Sequence, residues 1–191
     1  TMTRMTTITE QLSLRVASLL AIWLVPLSVS ATIIEVHEGY RIQDAVNAAQ
    51  PGDEILVYPG HYSETVYVDK DNITLRGVVE GNNWPHLDGK KQLNDAILYS
   101  GNGFSVEWFK ITHYKGNAIM GQAGNNFSIR NNWVIDSGVY GIFPEFGENG
   151  LIEDLVVVHA SPIKRHLLLD QVYLVSEQIV MSFHHLGMGL F

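Results

Sequence analysis

No cysteine occurs in the sequence, which excludes a disulfide scaffold, a Cys-ligated zinc or iron–sulfur site and a cysteine nucleophile. Basic residues are scarce too. The 191 residues include 12 Lys or Arg against 20 Asp or Glu, a net charge of −8 with no long basic run, so the composition predicts no nucleic-acid partner. Long hydrophobic runs are also lacking: the stretch from Val16 to Leu27 (VASLLAIWLVPL) is 12 residues long and too short to span a membrane as a helix. What the chain has in abundance is turn formers. It carries 17 Gly and 12 Asn, too many for a helical bundle, together with 46% apolar residues, enough for one domain with a real core.

The apolar run follows Arg4 and Arg15 and is followed by Ser28-Val29-Ser30-Ala31, the small residues that a signal peptidase requires. The expectation is a signal peptide over residues 1–31, with the remainder secreted or periplasmic and without a stable membrane span; an uncleaved N-terminal anchor is the alternative.

Gly and Asn recur with a period. Val106 aligns with Ile129 and Ile152, and Ile111 with Val134 and Val157, without gaps at a spacing of 23 residues. Gly103, Asn126 and Asn149 hold the same register before the strands, and Ala118-Ile119 aligns with Gly141-Ile142. Apolar residues alternate within each unit, as in Phe104-Ser105-Val106-Glu107 and Phe127-Ser128-Ile129-Arg130, which is the period of a strand. A unit of a few short strands cannot bury its inward face alone, whereas stacked copies can, at about 4.8 Å per rung. The prediction is an all-β, right-handed parallel β-helix of about five coils over residues 32–158. Alignment columns then become ladders: Glu107, Arg130 and Glu153 outward with alternating charge, Phe104 above Phe127 inward. Asn125-Asn126 and Asn131-Asn132 suit the tight bends, because Asn tolerates left-handed backbone and its amide can bond a neighbouring coil.

Ahead of the coils, Ile42 to Gln50 carries Ile42, Ala45, Val46 and Ala49 at helical spacing, ended by Pro51-Gly52. It predicts a short N-terminal helix capping the open end of the core. Strands are expected at Ile55–Tyr58, Thr65–Val68 and Ile73–Leu75. The register fails at the other end, where no Asn follows Asn149. Residues 159–191 form an atypical tail that reads as a divergent cap, an irregular coil, or a truncated or frame-altered end.

The stretch IQDAVNAAQPGDEILVYPGHYSETVYVDKDNITLRG (Ile42 to Gly77) resembles the opening of right-handed parallel β-helix, pectin-lyase-like proteins, a group that includes polysaccharide lyases, mannuronan epimerases and periplasmic accessory proteins. The resemblance covers roughly residues 33 to 158 and implies fold more than function. Tyr140-Gly141-Ile142-Phe143-Pro144-Glu145-Phe146 resembles the stretch where mannuronan epimerases carry Tyr-Gly-(apolar)-Asp-Pro-His-Asp. Phe143 and Phe146 replace the aspartates and Glu145 the histidine, so catalysis by that motif is not implied.

The group's lyases and epimerases abstract the proton α to a uronate carboxyl, which needs a base and a cation on an outward sheet face. The candidates are the column His113, Asp136 and His159, able to orient a base or hold a divalent cation such as Ca2+; Lys110 and Lys115, which flank His113; and Arg130 between two glutamates. The plainer readings are polar turn residues, solvated lysines and a charge ladder. Trp84, Trp108, Trp133 and Tyr140 are candidates for stacking on sugar rings, Trp84 from an insertion between coils. Asp69-Lys70-Asp71-Asn72 reads as a turn rather than a calcium loop, since the downstream Gly and Glu are missing. The resulting expectation is an exported protein that binds or processes a uronate-containing polysaccharide; the alternative is a non-catalytic accessory or adhesin-like β-helix.

Overall fold

In the computed structural model, the described residues are 30–158 together with 173–175 and 179–181. Most of the leader expected over residues 1–31 therefore lies outside them. The chain enters through β1 (Ile33–Val36) and α1 (Ile42–Ala48) and then winds through coils of three short strands. The first coil is β2 (Glu54–Val57), β3 (Gly60–Tyr62) and β4 (Val66–Val68); the second is β5 (Thr74–Gly77), β6 (Pro85–Asp88) and β7 (Ile97–Tyr99). The third is β8 (Ser105–Glu107), β9 (Lys110–Thr112) and β10 (Ile119–Gln122), and the fourth β11 (Ser128–Arg130), β12 (Trp133–Ile135) and β13 (Ile142–Glu145). A fifth begins with β14 (Gly150–Glu153) and β15 (Leu155–Val158). Equivalent strands pair in parallel, giving three sheets in the orders β1-β2-β5-β8-β11-β14, β3-β6-β9-β12-β15 and β4-β7-β10-β13. This is a parallel β-solenoid of about five coils with one short helix, consistent with the right-handed β-helix expected from the repeat.

The register is the one the repeat predicts. Val106 stands opposite Ile129 and Ile129 opposite Ile152; Ile111 opposite Val134 and Val134 opposite Val157. Val106, Ile129, Ile152, Ile111 and Val134, with Ile97, Ile119 and Ile142 on the third sheet, are buried along the axis, each side chain contributing about 1.5–3 kcal/mol by leaving water. Phe104 and Phe127 are both buried, and Tyr99 lies against each at 4.7 and 5.7 Å between ring centres. The next position of that column is Gly150, where a Cβ would collide with the Phe127 ring.

Corners explain the spacing of the turn residues. Asn72, Gly103, Asn126 and Asn149 all have positive φ ahead of the first sheet, and the same left-handed twist recurs at Trp108, Asn131 and Asp154, at His113 and Asp136, and at Ala123 and Phe146. Each coil must turn sharply at fixed places, so one left-handed residue recurs per corner whatever its side chain. Polar side chains tie the corners together between coils. The Asn102 N–H donates to Asp71 Oδ1 (2.8 Å), the Asn125 N–H to Asn102 Oδ1 (3.0 Å) and the Glu148 N–H to Asn125 Oδ1 (2.8 Å). Buried Asn132 accepts from the Phe109 N–H and donates to the Val106 carbonyl.

At the N-terminal end α1 runs to Ala48, two residues short of the expected Gln50, because Ala49 already has extended backbone. Its first turn receives no cap from Arg41; Glu64 accepts from the Ile42 and Gln43 N–H groups instead, and Lys70 Nζ donates to the Val46, Asn47 and Ala49 carbonyls. The carboxylate at the N-terminus and the ammonium at the C-terminus both oppose the helix dipole favourably. Its apolar residues Ile42, Ala45 and Val46 are buried. Beyond the last coil, β16 (Tyr173–Val175) and β17 (Ile179–Met181) pair antiparallel with β15 and β14.

Candidate functional site

The stacking turns outward residues into ladders as it does inward ones, and two outward ladders differ in kind. On the first sheet Arg76, Glu107, Arg130 and Glu153 occupy successive rungs. Arg76 reaches Glu54 at 2.5 Å and also pairs with Glu107; Arg130 stands 3.3 Å from Glu107 and 3.8 Å from Glu153. Glu107 is only 3% exposed, covered by the two arginines that flank it. Arg130 thus sits in an ion-pair ladder on a different sheet from Lys110.

On the second sheet the outward column reads His61, His86, Lys110, Trp133. Adjacent members stand one strand spacing apart, about 4.8 Å. They floor a cleft of about 620 Å³ whose rim includes Glu38, Asn83 and Trp84. The wall is local in origin. Glu80 and Asn83 exchange backbone hydrogen bonds of 3.0 Å around Gly81, whose φ of +62° suits a residue without a Cβ, and this tight turn delivers Trp84 over the sheet. The Trp84 ring packs between Trp108 (5.9 Å) and Trp133 (5.7 Å). That insertion stretches the step on the first sheet, where Leu75 stands opposite Val106.

Charge in the cleft comes from few groups. The imidazoles of His61 and His86 lie 5.2 Å apart, and His86 Nε2 is 2.8 Å from Thr112 Oγ1. Burial pushes the His86 pKa down, and the ammonium of Lys110 does so further, so His86 is neutral near neutral pH. Among the described residues Lys110 has no ion-pair partner. Glu38 Oε1 accepts from the His61 backbone N–H at 2.9 Å.

The remaining sequence candidates are dispersed. His113 and Asp136 occupy the same left-handed corner of successive coils, as their 23-residue spacing requires, but pair elsewhere: His113 Nδ1 with Asp88 Oδ1 at 3.0 Å, Asp136 with Lys91 at 3.3 Å. Burial would raise the Asp88 pKa, yet the Lys90 N–H and His113 hold it below the usual carboxylate range. His159 lies outside the described residues. Lys115 is exposed, its backbone N–H bonded to the Leu93 carbonyl. Tyr140 packs on Phe143 at 4.8 Å, against the third sheet. Lys110, Trp133 and Trp84 line the cleft, and Trp108 braces it. His61, His86 and Glu38 were not legible as site residues. Gly60-His61-Tyr62 and Pro85-His86-Leu87 align only across a 25-residue step, which a fixed 23-residue period passes over.

Among the described residues no three His, Asp or Glu side chains converge as a metal site. The Asp69–Asn72 segment is spent on structure, since Asp71 accepts from the next coil. No helix among the described residues is long and apolar enough to cross a membrane. No family model, curated protein or solved structure matches this chain.

Proposed function

We propose that this protein binds an extracellular or cell-envelope polysaccharide containing uronate residues, along the outward face of the second sheet. The observation that carries the reading is the column His61, His86, Lys110 and Trp133 beneath the Trp84 wall. An ammonium with no ion-pair partner among the described residues, in one column with two imidazoles, suits a carboxylate, and indoles on the floor and wall suit the apolar faces of sugar rings. The column that floors the cleft runs over four successive rungs, a row of positions that a chain ligand can follow. The resemblance of Ile42 to Gly77 to polysaccharide-acting β-helix proteins supports the same class, and the leader-like residues 1–31 support export to where such polymers occur. The test is binding of alginate, pectate and glycosaminoglycans by calorimetry, with neutral dextran as the control. Binding of an acidic polymer that weakens in Lys110→Gln and in Trp133→Ala supports the reading; equal affinity for dextran, or none for any polymer, overturns it.

A second reading, processing of the same ligand, rests on one observation: His86 is kept neutral beside Lys110, the pairing needed for a proton acceptor next to a cation that holds a carboxylate. Ultraviolet absorbance of unsaturated uronate products reports lyase turnover. Retained binding without products leaves the non-catalytic module.

A further inference from the structure

The cleft that takes the acidic chain in the reading above has one permanent cation and two histidines in a single column. His61 and His86 stand on the two rungs that precede Lys110, and histidine is the side-chain type that can take up a proton near physiological pH. We infer that acidic polysaccharide binding at this cleft is coupled to proton uptake by His61 and His86, so that the protein holds its ligand more tightly as its surroundings acidify. The inference rests on the uronate-binding reading and adds its regulation.

The geometry behind it is the closeness of the two rings and what surrounds them. With the imidazoles 5.2 Å apart and Lys110 on the next rung, protonating both rings without a ligand would place three cations on consecutive rungs. Like charges directly opposite repel, so three cations in a row are disfavoured while no ligand is bound. Two carboxylates stand close enough to moderate this. Glu38, in the turn after β1, accepts from the His61 backbone, and Asp88, two residues along β6 from His86, is engaged by His113. Thr112 of β9 accepts from or donates to His86 and carries no charge. The burial and the Lys110 charge that hold His86 neutral act in the same direction. A row of sugar carboxylates over the column reverses the balance, because each bound anion favours the charged imidazole. By linkage, whatever the ligand does to proton affinity the proton does to ligand affinity. The sign follows: protons are taken up on binding, and affinity rises as pH falls.

The experiment is isothermal calorimetry of the full chain with pectate between about pH 8 and about pH 5.5, a range in which sugar carboxylates stay ionised. Titrations are run in two buffers of different ionisation enthalpy, which measures protons taken up directly. The expected result is net uptake on binding and an affinity that tightens by up to about tenfold per pH unit for each proton taken up. His61→Gln and His86→Gln together should abolish the uptake and flatten the pH profile while Lys110 and the tryptophans still bind pectate weakly. Pectate binding whose affinity is flat across the range, or whose proton uptake survives in the double variant, overturns this inference and leaves the uronate reading standing. Failure to bind pectate, alginate or glycosaminoglycans at any pH overturns both. Should the double variant fail to fold, histidine titration curves of the native chain by NMR, with and without pectate, decide the matter: unshifted imidazoles in the complex are fatal to it.

Discussion

The first and second sheets present two outward ladders made by the same stacking, yet one is closed and the other open. Glu54, Arg76, Glu107, Arg130 and Glu153 pair their charges between neighbouring strands and bury a carboxylate in doing so. His61, His86, Lys110 and Trp133 have no such complementarity; no carboxylate stands among them, and a tryptophan wall encloses them. A ladder that pairs its own charges contributes stability. One that leaves them unpaired is useful only when something else arrives to pair them.

That contrast can be broken in order of expected effect. Glu107→Ala should cost about 3 kcal/mol, since it removes the buried carboxylate between two arginines, and should leave pectate binding unchanged. Urea unfolding measures it; a loss below about 1 kcal/mol, or a loss of binding in folded protein, would erase the distinction between the ladders. Trp133→Ala is expected to do the reverse. The ring is 43% exposed, so stability should change by less than about 1 kcal/mol while pectate affinity falls about tenfold. A corner that belongs to neither ladder provides the calibration: Ala123 sits at φ +64°, and Ala123→Gly should raise stability by about 1 kcal/mol, seen as a higher Tm with binding unaltered.

The smallest effect concerns pH. His86 has a lowered pKa in the folded chain, so the unfolded chain binds its proton more readily. Stability from this group is present above the ordinary histidine value of about 6.5 and is lost as pH falls through it toward the lower folded value. Urea midpoints should therefore decline below about pH 6.5 less steeply in His86→Gln than in the native chain. An unchanged slope would mean that the open ladder does not feel its own crowding.

Much of the fold is legible in the sequence. Val106, Ile129 and Ile152 could be stacked on paper because an identical period repeats an identical corner, and the left-handed twist at Gly103, Asn126 and Asn149 confirms why Gly and Asn mark it. The same logic misled over the site. His113 and Asp136 keep the period because the corner keeps it, not because they share a ligand, and each pairs with a different side chain. His61 and His86 break the period, because the insertion that carries Trp84 lengthens the coil between β5 and β8. Lys110, Trp133 and Trp84 were recognisable by type, as a cation and exposed aromatics, without any sign that they belong together.

Local sequence thus determined the period, the corners, the inward columns and the capping helix, since each depends on residue size, alternation and backbone freedom within one coil. Tertiary structure alone decided which outward residues meet. A side chain's neighbour on the next rung lies one whole coil away along the chain, and coils of unequal length shift that partner by an amount no fixed repeat contains.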